Sequence, residues 1–189
     1  MDKETKTELY ELVKEKCRGF DEKFGHTDVW RYHIEPVVKN AMLLASKFGA
    51  DLEIVEIGAL LHDIASLEDF GKYAEEHHII GSIMAEEILT KYNYPKDKLE
   101  RVKKCVLNHR ASSPKNSIEE ICVADADAVS HIVNVPELLM WRAMIGETVE
   151  QGSNFVKNKI TKSFNKMSKQ SQEFYREKFN AILQVFEQE

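Results

Sequence analysis

The sequence predicts an all-α protein built as a single domain, and three observations predict it. Only 8 glycines and 4 prolines punctuate 189 residues, too few for the many turns of a β-sandwich or barrel but ample for long helices. Apolar residues recur at three- and four-residue spacing along most of the chain, which is the period of a helix face and not of a strand. No repeat, low-complexity run or linker divides the sequence, and its length suits one mid-sized core.

Composition narrows the function classes. Hydrophobic residues make up 43% and charged residues 31%, a balance that fits neither a disordered chain nor a membrane protein. No stretch approaches the roughly 18 apolar residues of a membrane span. The start, Met1-Asp2-Lys3-Glu4, lacks the apolar segment of a secretion signal. Cys17, Cys105 and Cys122 are far apart and form no CxxC pair, so they read as buried thiols in a reducing, cytoplasmic setting. A formal charge of −6 argues against coating a nucleic-acid polymer, while a local basic pocket for phosphate remains compatible with it.

The elements follow in order. Leu9, Leu12, Val13 and Cys17 share one face of a first helix, expected to end near Gly19. The chain then turns, with Thr27 or Asp28 as the cap of the next helix and His26 in the loop. That helix buries Val37, Ala41, Leu44 and Phe48, with His33 one turn earlier on the same face, and Gly49 stops it. Asp51 caps a helix from Leu52 to about Ile64 that is apolar nearly all round, the mark of a central element. Residues 65–76 read as a loop or short helix. His77, Ile80, Gly81, Met84 and Ile88 form the next face, and Pro95 opens a helix carrying Leu99, Val102, Val106 and His109. A loop spans 111–116, then Ser117 and Glu120 make a capping box for an apolar helix interrupted by Asp125 and Asp127. Pro136 starts a short helix. The end is a hairpin, with Phe155, Ile160, Phe164 and Met167 on one arm and Phe174, Phe179, Ile182, Leu183 and Phe186 on the other. Residues 168–171 form its turn.

The anomaly is the set of polar groups at inward positions. His33, the pair His62-Asp63, His77, His109 and Asp127 all fall where the periodicity predicts burial. A buried aspartate costs several kcal/mol unless a cation or several donors compensate. One divalent ion held by two imidazoles and two carboxylates satisfies four of these groups at once and needs no cysteine. Neighbours on a helix point about 100° apart, so His62 and Asp63 reach one ion only if it lies beside the helix end.

The ordered set resembles the HD-domain superfamily of metal-dependent phosphohydrolases. The stretches that carry the resemblance are His33-Ile34-Glu35-Pro36-Val37, Ala59-Leu60-Leu61-His62-Asp63-Ile64, His77-His78-Ile79-Ile80-Gly81, Leu107-Asn108-His109-Arg110 and Ala124-Asp125-Ala126-Asp127, within about residues 26–132. The resemblance implies an HD-type helical bundle over 1–150, with the hairpin of 151–189 packed on it as a structural appendix or a homodimer surface. It implies one divalent ion on His33, His62, Asp63 and Asp127, with Mn, Mg, Fe, Co, Ni and Zn not distinguished. The family register puts the late aspartate at Asp127, although Ala128 stands where a basic residue is usual; Asp125 is then a partner behind the ligands or a structural anion.

The same resemblance gives His77 and His109 to the substrate phosphate, or to a second metal. Arg110 and Lys115 are candidates for neutralising phosphate, Asp63 and Glu68 for catalysis, and His131 for orienting Asp127. His78 is expected to face solvent. The implied activity is hydrolysis of a small phosphorylated metabolite, foremost a nucleotide, by metal-activated water attack on phosphorus, with neither nucleic-acid polymer nor membrane as a partner. The alternatives are a regulatory module that binds metal or ligand without turnover, and a di-iron oxygenase. Pro36 stands where many members carry arginine; it removes an amide that would bond the carbonyl of Tyr32, so a helix must start or kink there.

Overall fold

A computed structural model describes residues 1–25, 28–110 and 113–187. Among these the chain forms ten α-helices and one π-helical turn, with no strand. In order they are α1 (Lys3–Phe24), the π-turn (Trp30–Ile34), α2 (Glu35–Phe48), α3 (Leu52–Leu61), α4 (Ile64–Tyr73), α5 (His77–Lys91), α6 (Lys96–Asn108), α7 (Ile118–Val133), α8 (Val135–Met144), α9 (Val149–Lys166) and α10 (Lys169–Gln184). The all-α, single-domain expectation therefore holds. No helix among the described residues is long and apolar enough to cross a membrane.

α7 is the axis of the bundle and packs against α2, α3, α6 and α9. α3 is buried at seven of its positions, from Ile54 to Leu61. Its Gly58 marks a close approach: a Cβ there would lie 2.8 Å from the Cβ of Cys105 on α6. All three cysteines are buried and unpaired.

Several boundaries differ from the sequence expectation, each for a local reason. α1 passes through Gly19 and ends at Gly25, whose φ of 67° supplies the left-handed cap and whose N–H bonds the carbonyl of Asp21. Thr27 and His26 lie outside the described residues, as do Ala111 and Ser112 of the expected loop. The cap role goes to Asp28, whose carboxylate accepts the N–H of Arg31 at 3.0 Å. α3 stops at Leu61, and Ile64 opens α4 after a two-residue turn. The stretch after it is helical, with one extended residue at Asp69 (φ −157°, ψ 94°).

The capping box at Ser117 is only half made. Ser117 Oγ accepts the N–H of Glu120 at 3.2 Å, but the Glu120 carboxylate turns to Asn116 N–H and Asn108 Nδ2 at 3.0 and 2.8 Å. In the hairpin the turn is shorter than 168–171. Ser168 caps α10 by accepting the N–H of Ser171 at 3.3 Å, which leaves Ser171 helical and buried. Phe164 and Phe179 stack at 4.0 Å across the arms. Phe155 and Phe174 instead turn outward beneath Arg142 and Lys47, at 3.9 and 4.5 Å from the rings.

Pro36 sits in the first turn of α2, where a missing N–H costs least, and the backbone reaches it through the π-turn. The carbonyl of Tyr32, which Pro36 cannot serve, instead accepts Asn134 Nδ2 from the end of α7. That bond pins the segment bearing His33 to the central helix.

Candidate metal centre

Five elements converge on one cavity of about 360 Å³. The π-turn brings His33, the break between α3 and α4 brings Asp63 and, buried just behind the lining, His62, α5 brings His77 from its first residue, the end of α6 brings His109, and α7 brings Asp127. The break answers the geometric problem of the doublet. Asp63 has φ −109° and ψ 19°, the bridge conformation common at active sites, and so its carboxylate swings toward the same space as the His62 ring. Gly81 lets α5 seat against α6, with a Cβ there only 3.3 Å from Val106 Cγ1. This brings His77 Nε2 to 3.1 Å from His109 Nε2.

The six groups form two triads. His33, His62 and Asp127 place one donor atom each within 4.8 Å of one another, and Asp63, His77 and His109 do the same. Asp63 lies between the two. Its Oδ2 is 3.0 and 3.4 Å from Nε2 of His33 and His62, and its Oδ1 is 3.5 and 3.8 Å from Nε2 of His77 and His109.

The hydrogen-bond network assigns the tautomers. Nδ1 of His62, His77 and His109 donates to the carbonyls of Ala59, Ala74 and Val106 at 2.8, 2.8 and 2.6 Å. Ser130 Oγ gives its hydrogen to the Asp127 carbonyl at 2.7 Å and so accepts from His33 Nδ1 at 3.2 Å. All four rings therefore turn an Nε2 lone pair toward two carboxylates. A pocket of acceptors alone is repulsive unless a cation or protons fill it, so the donor set fits a divalent ion.

Burial presses the His62 imidazolium down, but Asp63 and Asp127 outweigh it and hold the pKa up at about 9. Burial and the His62 charge press His109 down to about 4. Burial alone would raise Asp63 and Asp127, yet both stay well below the usual carboxylate range, Asp63 through the His62 and His33 rings and Asp127 through Lys166 and three histidines.

The remaining predicted residues are placed less uniformly. Arg110 lines the cavity and donates to the carbonyl of Glu75. Lys115 does not reach it; its ammonium closes its own loop on the carbonyls of Arg110 and Ser113. Glu68 is exposed and pairs with Lys16 of α1, on the side of α4 away from the candidate metal donors. Asp125, 200° round α7 from Asp127, does not support it; its carboxylate accepts the N–H and Oγ–H of Ser168, at 3.1 and 2.5 Å. It is thus the structural anion that anchors α10. His131 stacks with His33 at 6.0 Å and pairs through Nδ1 with Ser163 Oγ at 3.2 Å, and burial pushes it down to about 3. His78 is partly exposed, with its Nδ1 buried and unpartnered.

Two site residues escaped the sequence reading. Lys159 and Lys166 of α9 both line the cavity, and Lys166 Nζ lies 3.1 Å from Asp127 Oδ2. Burial lowers the Lys159 ammonium. The available signal was their seven-residue spacing, which with Ser163 puts them on the α9 face that meets α7.

The sequence profile of the HD domain matches residues 30–132. A search of the curated proteins finds no match. Among solved structures, the chain is similar to YpgQ of Bacillus subtilis in complex with ADP, with a TM-score of 0.71 at 22% identity over 95% of this chain and 92% of that one. It is also similar to a predicted HD superfamily hydrolase from an uncultured Thermotogales bacterium, with a TM-score of 0.69 at 19% identity over 95% and 87%. The Lin1889 protein of Listeria innocua gives 0.62 at 18% identity over 98% and 94%. At these identities the likeness is one of fold.

Proposed function

The chain belongs to the HD-domain family, and on that premise we propose that it is a metal-dependent phosphohydrolase of a small phosphorylated metabolite, foremost a nucleotide. The observation that carries this reading is the pair of triads joined by Asp63, with four Nε2 lone pairs and two carboxylates turned into one cavity. A divalent ion supplies two things there, a polarised phosphoryl oxygen and a water that ionises near neutral pH.

The protein's own groups do the rest. His33, His62, Asp63 and Asp127 are the ligands proposed for the ion, and Nδ1 bonds to Ser130 Oγ and to the Ala59 carbonyl hold the two ligand rings so that little reorganisation is needed. Arg110, Lys159 and Lys166 ring the same cavity and are suited to take phosphate oxygens by charge-assisted hydrogen bonds. The Asp63 carboxylate, kept ionised, orients the attacking water by accepting its hydrogen. The ADP bound by YpgQ provides the first substrate candidate.

The second triad, Asp63, His77 and His109, supports a second reading in which two ions are held. Elemental analysis separates the two, as one or two metal atoms per chain. The activity is tested on a nucleotide panel with Mn, Co, Ni or Mg present. Release of phosphate or pyrophosphate that depends on the metal is the expected result. Tight ligand binding with no release in any arm refutes the hydrolase and leaves a binding module; two irons per chain with substrate-dependent oxygen uptake replaces it with the oxygenase.

A further inference from the structure

Beside the metal cavity lies a second lobe of about 250 Å³, set among α1, the π-turn, α4, α8 and α9. It is continuous with the first: His33, Asp63, Ser66, Phe70, His131 and Lys159 line both. Its wall is of a different kind. Phe20, Phe70 and Trp141 contribute aromatic rings, and Val29, Leu67 and Leu138 fill the gaps. Phe20 and Phe70 meet edge-on at 6.3 Å between centroids. Among the residues that line this lobe and not the metal cavity there is one carboxylate, Glu137, half-buried.

We propose that this lobe seats the nucleobase of the substrate, stacked on the wall of Phe20, Phe70 and Trp141 with an N–H of its edge donated to Glu137. The inference rests on the phosphohydrolase reading for the position of the phosphate, and deepens it from phosphorylated metabolite to nucleotide. The lining chooses among occupants. A free sugar phosphate would turn its hydroxyls to rings that offer no partner, and each buried unpaired hydroxyl weakens binding. An acyl chain would suit the rings but would desolvate the Glu137 carboxylate further while bringing it no hydrogen-bond donor of its own. A nucleobase carries both a π-face for the rings and a hydrogen-bonding edge for the carboxylate. Its place is also right, because the phosphates of the same molecule then run past Lys159 toward Asp63 and Asp127.

The chain has two tryptophans, Trp30 and Trp141, so Trp30→Phe leaves Trp141 as the only indole reporter. Adenosine and guanosine, which carry no phosphate, are expected to quench its emission saturably, while ribose and tripolyphosphate leave it unchanged. Absence of quenching by either nucleoside overturns the proposal. In a second arm, Leu138→Trp fills the lobe, and kcat/KM is compared in one protein for nucleoside triphosphates and for tripolyphosphate. The ratio is expected to fall about tenfold or more, in line with the loss of one stacked base; an unchanged ratio overturns the base seat. Quenching without phosphate release from any nucleotide keeps the base seat and removes the hydrolase reading instead. Turnover of tripolyphosphate without quenching does the reverse.

Discussion

Lys166 reaches from the last turn of α9 to Asp127 on α7, with Nζ 3.1 Å from Oδ2. The C-terminal hairpin is therefore part of the site and not an appendage to it. Lys166→Ala is expected to raise KM by about ten- to a hundredfold, the worth of a charge-assisted hydrogen bond at about 1.5–3 kcal/mol, while bound metal stays at its wild-type ratio. Steady-state kinetics alongside elemental analysis checks this. A loss of metal in the variant would show that Lys166 supports the ligand and not the substrate.

Asp125 and Asp127 differ in position by two residues and should differ in phenotype completely. Asp127→Ala is expected to remove the ion and lower activity by more than the roughly 10–100-fold typical of groups behind a metal ligand. Asp125→Ala removes the acceptor of Ser168 and is expected to cost about 2 kcal/mol, or about 4–8 °C in Tm for a chain of this size. Asp125→Asn, which keeps one acceptor oxygen, should recover part of that loss. Thermal unfolding and metal content, measured on the same preparations, separate the two.

The six donor atoms that gather at the cavity were legible because burial leaves a periodic trace. A histidine or aspartate in an apolar stripe stands out, and His33, His62, Asp63, His77, His109 and Asp127 all did. What sequence could not show was direction. Asp125 and Asp127 are chemically identical and lie on one buried helix; only the position of Ser168 reveals that one of them serves α10. Glu68 follows the doublet in sequence but the course of α4 carries it to Lys16. Lys159 and Lys166 were hidden for the opposite reason, since lysines on an amphipathic helix look solvated until a neighbour covers them.

The chelated protein should have a stability optimum near pH 6.5. His62 is raised from 6.5 to about 9, so its contribution is complete below 6.5 and is lost as pH rises through 9. His109 and His131 are lowered to about 4 and 3; the unfolded chain takes up their protons below 6.5 and the folded one does not, so stability falls as pH drops toward 4. Loading the ion removes the alkaline arm, because the ligand is then the neutral imidazole. Ion binding near pH 7 should accordingly release about one proton, seen as a buffer-dependent heat in calorimetry. A Tm of the chelated protein that is flat from pH 6.5 to 9 would contradict the assignment of His62.

Gly58→Ala tests the close packing of α3 on α6. The added methyl would lie 2.8 Å from Cys105 Cβ and 3.4 Å from Val123 Cγ2, so one helix must shift. Overpacking of this kind costs about 1–3 kcal/mol, which denaturant unfolding measures. A neutral result would mean that α3 moves freely, which its burial on nearly every side argues against.

Asn134 holding the carbonyl of Tyr32 ties down the entry to α2, and the match to the HD profile ends just before it, at residue 132. Glu137 and Trp141 of the second lobe, and Lys159 and Lys166 beside the metal cavity, come after that point in the chain, while Phe20 comes before the matched stretch begins. All six candidate metal donors thus lie inside the matched stretch, while part of the lining around them is supplied by chain on either side of it. Exchanging residues 133–189 between two such proteins would therefore change Glu137, Trp141, Lys159 and Lys166 together while leaving the six candidate metal donors, and the wall made by Phe20 and Phe70, untouched.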